Sequence, residues 1–343
     1  MDLEAFLAEW HNDSPTVLVH TSGSTGKPKP MLVEKRRMQA SARITCRFLG
    51  LHEGDTALLC MPLDYIAGKM MVVRALTCGL QLVSVPPSSH PLATSHLSPF
   101  PSRLDFAAMV PLQVWNSLQV PEERHRLMHI RHLIIGGGAI DQALASQLAD
   151  FPHQVWSTYG MTETLSHIAL RRLNGPEASD WYTPFDGVAL SLTDEGCLVI
   201  NAPAVHEGPL VTNDIAELSP PATADSASAP ADSPRRFRIL GRKDNVICSG
   251  GIKIQIEEVE RLLRAHVHIP YIITKAPDQK LGEQVVILTE GDDTDSLMDV
   301  CHRVLPKYWQ PRQCCHVDHL PLTETGKPAR AEAARLALTL SVK

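Results

Sequence analysis

Between Thr21 and Pro30 the chain reads Thr-Ser-Gly-Ser-Thr-Gly-Lys-Pro-Lys-Pro. The hydroxyls of Thr21, Ser22, Ser24 and Thr25 are donors, and Gly23 and Gly26 let the backbone turn tightly enough for several N–H groups to converge on one anion. Lys27 adds a mobile positive charge that suits phosphate. These residues together describe a cradle for a triphosphate. It is not the mononucleotide P-loop, because Pro28 stands where that loop needs a magnesium-binding hydroxyl, and proline discourages a helix from running on. A flexible Gly/Ser linker is the plain alternative, yet linkers seldom carry two lysines and two prolines behind an apolar run.

Six later stretches carry chemistry of a compatible kind. Gly136-Gly137-Gly138-Ala139 permits backbone to approach a flat ligand closely. Ser157-Thr158-Tyr159-Gly160-Met161-Thr162-Glu163-Thr164 offers an aromatic ring, hydroxyls and one carboxylate, although a helix-start capping box would use similar residues. Thr212-Asn213-Asp214 and Gly241-Arg242-Lys243-Asp244 bring acids and a guanidinium, and Ser249-Gly250-Gly251-Ile252-Lys253-Ile254 follows directly. Finally, Leu320-Pro321-Leu322-Thr323-Glu324-Thr325-Gly326-Lys327 places a lysine in a polar loop, where most lysines are merely solvated.

In this order the stretches resemble the signatures of the adenylate-forming superfamily, which includes acyl- and aryl-CoA ligases, luciferases and peptide-synthetase adenylation domains. The resemblance implies that Thr21 to Lys27 grip the phosphates of ATP and that Gly136 and Gly137 line the acyl and adenine pocket. It implies that Tyr159 and Gly160 border adenine, Thr162 bonds the α-phosphate and Glu163 holds Mg²⁺. Asp214 would accept the ribose hydroxyls, Arg242 would contact ribose or phosphates, and Asp244 would be a hinge. Gly250 and Gly251 would flank coenzyme A, and Lys327 would be the catalytic lysine. Asn213 stands where the family has Gly, a mild departure because Asn tolerates the left-handed region.

The elements that must position these residues follow from periodicity. Residues 16–19, 57–63, 80–85, 132–135 and 154–157 read as strands; 34–49 reads as an amphipathic helix with Met38, Ala42, Thr45 and Leu49 on one face, and Asp141 can cap a helix through residue 149. Alternation of this kind implies an α/β fold of mostly parallel sheets flanked by helices, with ligands at the carboxyl ends of strands. At 343 residues the chain exceeds one compact core. The expectation is a large ATP- and acyl-binding domain over 1–242 and a small, mobile α+β domain over 243–343. Residues 219–234 lack large apolar side chains and read as a mobile surface loop within the first domain.

A formal charge of −6 argues against a general nucleic-acid binder. No apolar stretch is long enough to span a membrane and no signal-peptide core opens the chain, so a cytoplasmic location is expected. The sequence leaves a homo-oligomer open. Eight cysteines occur without a Cys-x-x-Cys pair, as in reduced cytosolic enzymes. Cys314, Cys315, His316 and His319 lack the second ligand pair that zinc needs.

Only twenty residues precede Thr21, whereas full-length superfamily members carry a substantial region there. This shortened form, with Met61-Pro62-Leu63-Asp64-Tyr65-Ile66-Ala67-Gly68, resembles bacterial 2-succinylbenzoate–CoA ligases, although Asp64-Tyr65 replaces their usual aromatic-His pair. The implied partners are ATP, coenzyme A and an aromatic dicarboxylic acid, with Tyr65, Lys69, Arg74 and Gly136 at the acid. Lys69 and Arg74 are five residues apart on one helix, not quite on one face. An arginine in an apolar stretch snorkels, pairs with an acid, or meets the substrate's second carboxylate. Other aryl- or acyl-CoA ligases, a P-loop phosphotransferase and a non-catalytic nucleotide-binding homologue are the competing readings.

Overall fold

The computed structural model describes residues 1–20, 30–93, 95, 96, 101, 103–138, 140, 142–220, 235–323 and 327–341. Helix α1 (Leu3–His11), capped by the Asp2 carboxylate on the Ala5 N–H, leads to a hairpin of β1 (Thr16–His20) and β2 (Pro30–Glu34). The run at residues 16–19 is thus one arm of a two-stranded ribbon, with Leu18 opposite Leu32. Helix α2 (Lys35–Leu49) follows with all four residues of its expected apolar face buried. It stops at Gly50, whose left-handed φ of 63° lets the next N–H groups cap the last turn.

The chain then lays down β3 (Thr56–Leu59), α3 (Ile66–Cys78), β4 (Gln81–Ser84), β5 (Leu104–Met109), α4 (Pro111–Gln119), α5 (Pro121–Met128), β6 (Ile130–Ile135), α6 (Gln142–Leu148), β7 (Gln154–Gly160), β8 (His167–Arg172) and β9 (Thr183–Pro184). These strands form one sheet in the order β4-β3-β5-β6-β7-β8-β9. The first five run parallel and the last two antiparallel. Burial on both faces explains the near-continuous apolar runs of β5 and β6. Phe106 and Ala108 point into the core shared with α2 and α3, whereas Ala107 and Met109 face the core beneath α4 and α6.

An antiparallel meander comes next: β10 (Ala189–Leu192), β11 (Cys197–Asn201), β12 (Leu210–Leu218) and β13 (Phe237–Arg242). The segment between β12 and β13 leaves and returns at one place, since the Ser219 and Arg236 backbones pair; residues 221–234 lie outside the described residues. The remaining chain builds β14 (Val246–Ser249), β15 (Ile252–Gln255), α7 (Ile256–Leu263), β16 (Tyr271–Asp278), β17 (Gly282–Thr289), α8 (Thr294–Val304), β18 (Gln313–His316) and α9 (Arg330–Ser341). Its strands make a five-stranded sheet with apolar clusters on both sides. Cys314 and Cys315 alternate between those two clusters, and no metal-binding group of three or more His, Cys, Asp or Glu occurs among the described residues. No helix among the described residues is long and apolar enough to cross a membrane.

Candidate active site

The carboxyl ends of the parallel strands carry the glycine run and the Tyr159 segment. β6 ends at Ile135, and the Gly136 N–H bonds to the Met109 carbonyl at the end of β5. A Cβ on Gly136 would lie 2.5 Å from the Thr158 hydroxyl oxygen, so only glycine lets these strand ends close together. Gly137 adopts a φ of 80° and is exposed there.

β7 ends at Gly160, where any Cβ would meet the Ser166 carbonyl at 2.3 Å and the His167 Cα at 2.4 Å. The intervening residues form a 3-10 turn over Thr162–Thr164 instead of a long helix. The turn closes on Leu165, the one described non-glycine residue with positive φ (65°), and the Ser166 N–H reaches back to the Thr164 carbonyl at 2.7 Å. That is a strained three-residue turn, and the burial of Leu165 holds it. Its effect is to leave Glu163 half-buried, with no partner for its carboxylate among the described residues. The Thr162 hydroxyl likewise has no partner there.

Tyr159, Asp214 and Arg242, far apart in sequence, meet at one acid. The Tyr159 hydroxyl donates to Asp214 Oδ2 at 2.6 Å, and Arg242 Nη1 donates to Asp214 Oδ1 at 3.2 Å. Arg242 also grips Asp244 with two parallel bonds, Nε to Oδ1 at 2.9 Å and Nη2 to Oδ2 at 3.0 Å. Burial and the Asp214 charge push the Tyr159 phenol far above its usual range, so it stays a donor. Its ring packs edge-on to Phe237 at 5.0 Å. Asp214 lies within strand β12, opposite Arg242 on β13, and Asn213 needs no left-handed backbone.

Lys327 lies close enough to Arg242 for that charge, after burial, to hold its ammonium below the ordinary lysine range. Its backbone is pinned by Thr323, whose N–H donates to the Lys327 carbonyl at 2.7 Å. No hydrogen bond occupies its ammonium among the described residues. Tyr159, Asp214, Arg242, Asp244 and Lys327 are therefore brought together. Thr21, Ser22, Gly23, Ser24, Thr25, Gly26 and Lys27 lie outside the described residues.

Gly250 and Gly251, at φ 57° and 85°, form the two-residue turn between β14 and β15, a hairpin geometry that demands such residues. Gly250 also borders a cavity of about 540 Å³ whose lining includes His302, Lys307, Tyr308 and Arg312.

Tyr65 immediately precedes α3, and a Cβ on Gly68 would strike the Pro62 carbonyl at 2.3 Å. Arg74, farther along α3, is 2 % exposed. Its Nη2 donates to Ser166 Oγ at 2.6 Å, while its Nε has no partner. Ser166 Oγ meets His167 Nδ1 at 3.1 Å, and His167 Nε2 meets Thr45 Oγ1, which donates to the Ser41 carbonyl. The directions are forced: Thr45 must accept from Nε2–H, so Nδ1 accepts from Ser166, which accepts from Arg74. Burial, and then the Arg74 charge, keep His167 neutral, as this relay needs.

Lys69 does not face the same way. Its ammonium donates to the Leu18 carbonyl at 2.7 Å and to Glu9 Oε2 at 3.5 Å, and lies 5.3 Å from the Phe6 ring centre. Lys69, named with Arg74 as a candidate for the acid, thus has its ammonium engaged by Leu18, Glu9 and Phe6, partners that Arg74 does not share. Glu9 was missed altogether; in sequence it is one acid among several on a short helix.

The largely parallel sheet thus carries the Gly136 and Tyr159 segments at its carboxyl edge, with Asp214 and Arg242 of the meander beside Tyr159. The model of the AMP-binding enzyme family matches residues 4–208, and the chain belongs to that family, in the class of AMP-forming acyl-CoA ligases. It is 24% identical over 364 aligned residues to a 2-succinylbenzoate–CoA ligase of Bacillus mycoides, covering 97% of this chain and 73% of that protein. Among solved structures it resembles an acyl-CoA synthetase (AMP-forming)/AMP-acid ligase II-like protein from Dyadobacter fermentans, with TM-score 0.62, 30% identity, and 99% and 93% of the two chains covered. It also resembles the O-succinylbenzoate coenzyme A synthetase of Bacillus subtilis in complex with ATP and magnesium, with TM-score 0.72, 22% identity, and 92% and 69% covered.

Proposed function

We propose that the chain adenylates an aromatic dicarboxylic acid of the 2-succinylbenzoate type, releases pyrophosphate and passes the acyl group to coenzyme A, a step in menaquinone biosynthesis. The observation that carries the dicarboxylic reading is Arg74. A guanidinium this deeply buried normally pairs with a carboxylate, yet no ion pair is present among the described residues, and one donor, Nε, is orphaned. Burial lowers its pKa to about 10, so it is still a cation at neutral pH. The second carboxylate of the acid supplies the missing partner. The names of the relatives, and the O-succinylbenzoate synthetase among the structural neighbours, support the same reading.

Both reactants of the first step are anions, and the protein's work is to neutralise and align them. The acid's oxygen attacks the α-phosphorus of ATP, the bond to the bridging oxygen breaks, and pyrophosphate leaves from the Thr21–Pro30 loop. Lys327, its ammonium unspent, bridges the acyl carboxylate and the α-phosphate. Asp214 still has lone pairs for ribose hydroxyls beyond those taken by Tyr159 and Arg242. Glu163 suits a magnesium ion, because that ion takes few carboxylates and fills its shell with phosphate oxygens and water; its charge would offset that of the phosphates.

In the second step the coenzyme A thiol attacks the acyl carbonyl and AMP departs. The unit from residue 243 turns about Asp244, withdrawing Lys327 and presenting Gly250-Gly251. The cations Lys307 and Arg312 at the neighbouring cavity suit the phosphates of coenzyme A. ATP–pyrophosphate exchange with succinylbenzoate, benzoate and a medium-chain fatty acid tests the proposal. Exchange should be strongest with succinylbenzoate; preference for a monocarboxylic acid would reject the dicarboxylic reading.

A further inference from the structure

The edge of β1 that β2 does not cover is closed by two side chains. Leu18 stands opposite Leu32, but its own N–H and C=O point away from β2. The N–H donates to Glu9 Oε1 at 3.2 Å, and the C=O accepts from Lys69 Nζ at 2.7 Å. Lys69 Nζ then meets Glu9 Oε2 at 3.5 Å, closing a ring of three residues from α1, β1 and α3. A carboxylate and an ammonium here do what a third strand would do, satisfying both backbone groups of one residue. Val17 and Val19 on either side are buried, so the strand is fixed by its side chains as well as by its edge.

The ammonium has three N–H donors, and three directions are taken: the Leu18 carbonyl, the Glu9 carboxylate and the face of Phe6. Nothing is left for a substrate carboxylate. The phosphate loop begins at Thr21, directly after β1 ends at His20. A shift of Leu18 along or across the ribbon therefore displaces His20, the residue that precedes the loop in the chain.

We infer that Glu9 and Lys69 are positioning residues which clamp β1 and thereby set the affinity of the Thr21–Pro30 loop for ATP. The inference rests on the reading of that loop as the triphosphate grip. Neither residue touches ATP or the acid. The α1 helix is the part of the chain that supplies Glu9, so the clamp gives that short helix a role in nucleotide binding.

The test measures KM for ATP, KM for succinylbenzoate, kcat and Tm in the full chain carrying Glu9→Gln, Lys69→Met, Lys69→Arg or both changes at once. Glu9→Gln and Lys69→Met should each raise KM for ATP about tenfold and leave that for the acid within about twofold. The double variant should be no worse than the poorer single one, because both remove one ring. Lys69→Arg, which keeps the charge, should recover part of the ATP affinity. A lowered Tm with unchanged KM for ATP would reduce the ring to a stabilising contact and overturn the inference; a raised KM for the acid alone would return Lys69 to the substrate. If Lys69→Met does not fold, Glu9→Gln at the more exposed partner decides the matter. Lys27→Ala separates the two levels: if it leaves KM for ATP unchanged the loop reading fails, and if it alone raises KM only the clamp fails.

Discussion

The Tyr159 hydroxyl donates to Asp214 at 2.6 Å while Arg242 holds the other oxygen of the same carboxylate at 3.2 Å. One acid thus ties the end of the parallel sheet to the meander, and through Arg242 to Asp244. Tyr159→Phe keeps the ring and removes one bond to a charged group, so KM for ATP should rise about tenfold, equivalent to ~1.5 kcal/mol. Tyr159→Ala also removes the ring beside Phe237 and should cost more. Equal, small effects of both variants on ATP would separate Tyr159 from nucleotide binding.

Lys327→Ala should abolish adenylate formation yet spare thioester formation from adenylate supplied directly. Because burial and Arg242 lower its pKa, the ammonium loses its proton at a lower pH than an exposed lysine. The adenylation rate should therefore fall on the alkaline side earlier than an ordinary lysine allows, and Lys327→Arg should shift that limb upward. Loss of both half-reactions together in Lys327→Ala would contradict the alternation of the C-terminal unit.

The candidate residues were legible because they lie in short, ordered stretches: Tyr159, Glu163, Asp214, Arg242 and Lys327 could each be picked out one motif at a time. Their meeting at Asp214 was not, since strand pairing between β12 and β13 is a long-range choice that local sequence does not encode. Helix α2 was visible through its apolar stripe, whereas β2 was hidden by the loop signature that runs into it, Pro30 being both loop residue and first residue of the strand. The surroundings of Lys69 were hidden from the sequence for a physical reason. A lysine in an apolar helix announces that a partner exists, but the partners here are a backbone carbonyl and an acid on α1, which no spacing rule reveals.

Stability should fall on mild acidification through His132. Burial, and then the Arg131 charge, lower its pKa from 6.5 to about 4. Between those values the unfolded chain binds a proton that the folded chain refuses, so stability drops as pH falls through that window and is fully retained above it. The full effect is about 3 kcal/mol. His132→Gln should flatten the dependence of Tm on pH between about 6.5 and 4; a slope as steep as in the unaltered protein would show that other groups carry it.

If Arg74 receives the second carboxylate of the acid, succinylbenzoate-dependent ATP–pyrophosphate exchange must differ between the unaltered protein and Arg74→Leu. The substitution should raise KM for succinylbenzoate by about a hundredfold, as loss of a buried charged partner would, while KM for ATP moves by less than about threefold. An unchanged KM for succinylbenzoate in folded Arg74→Leu would contradict it.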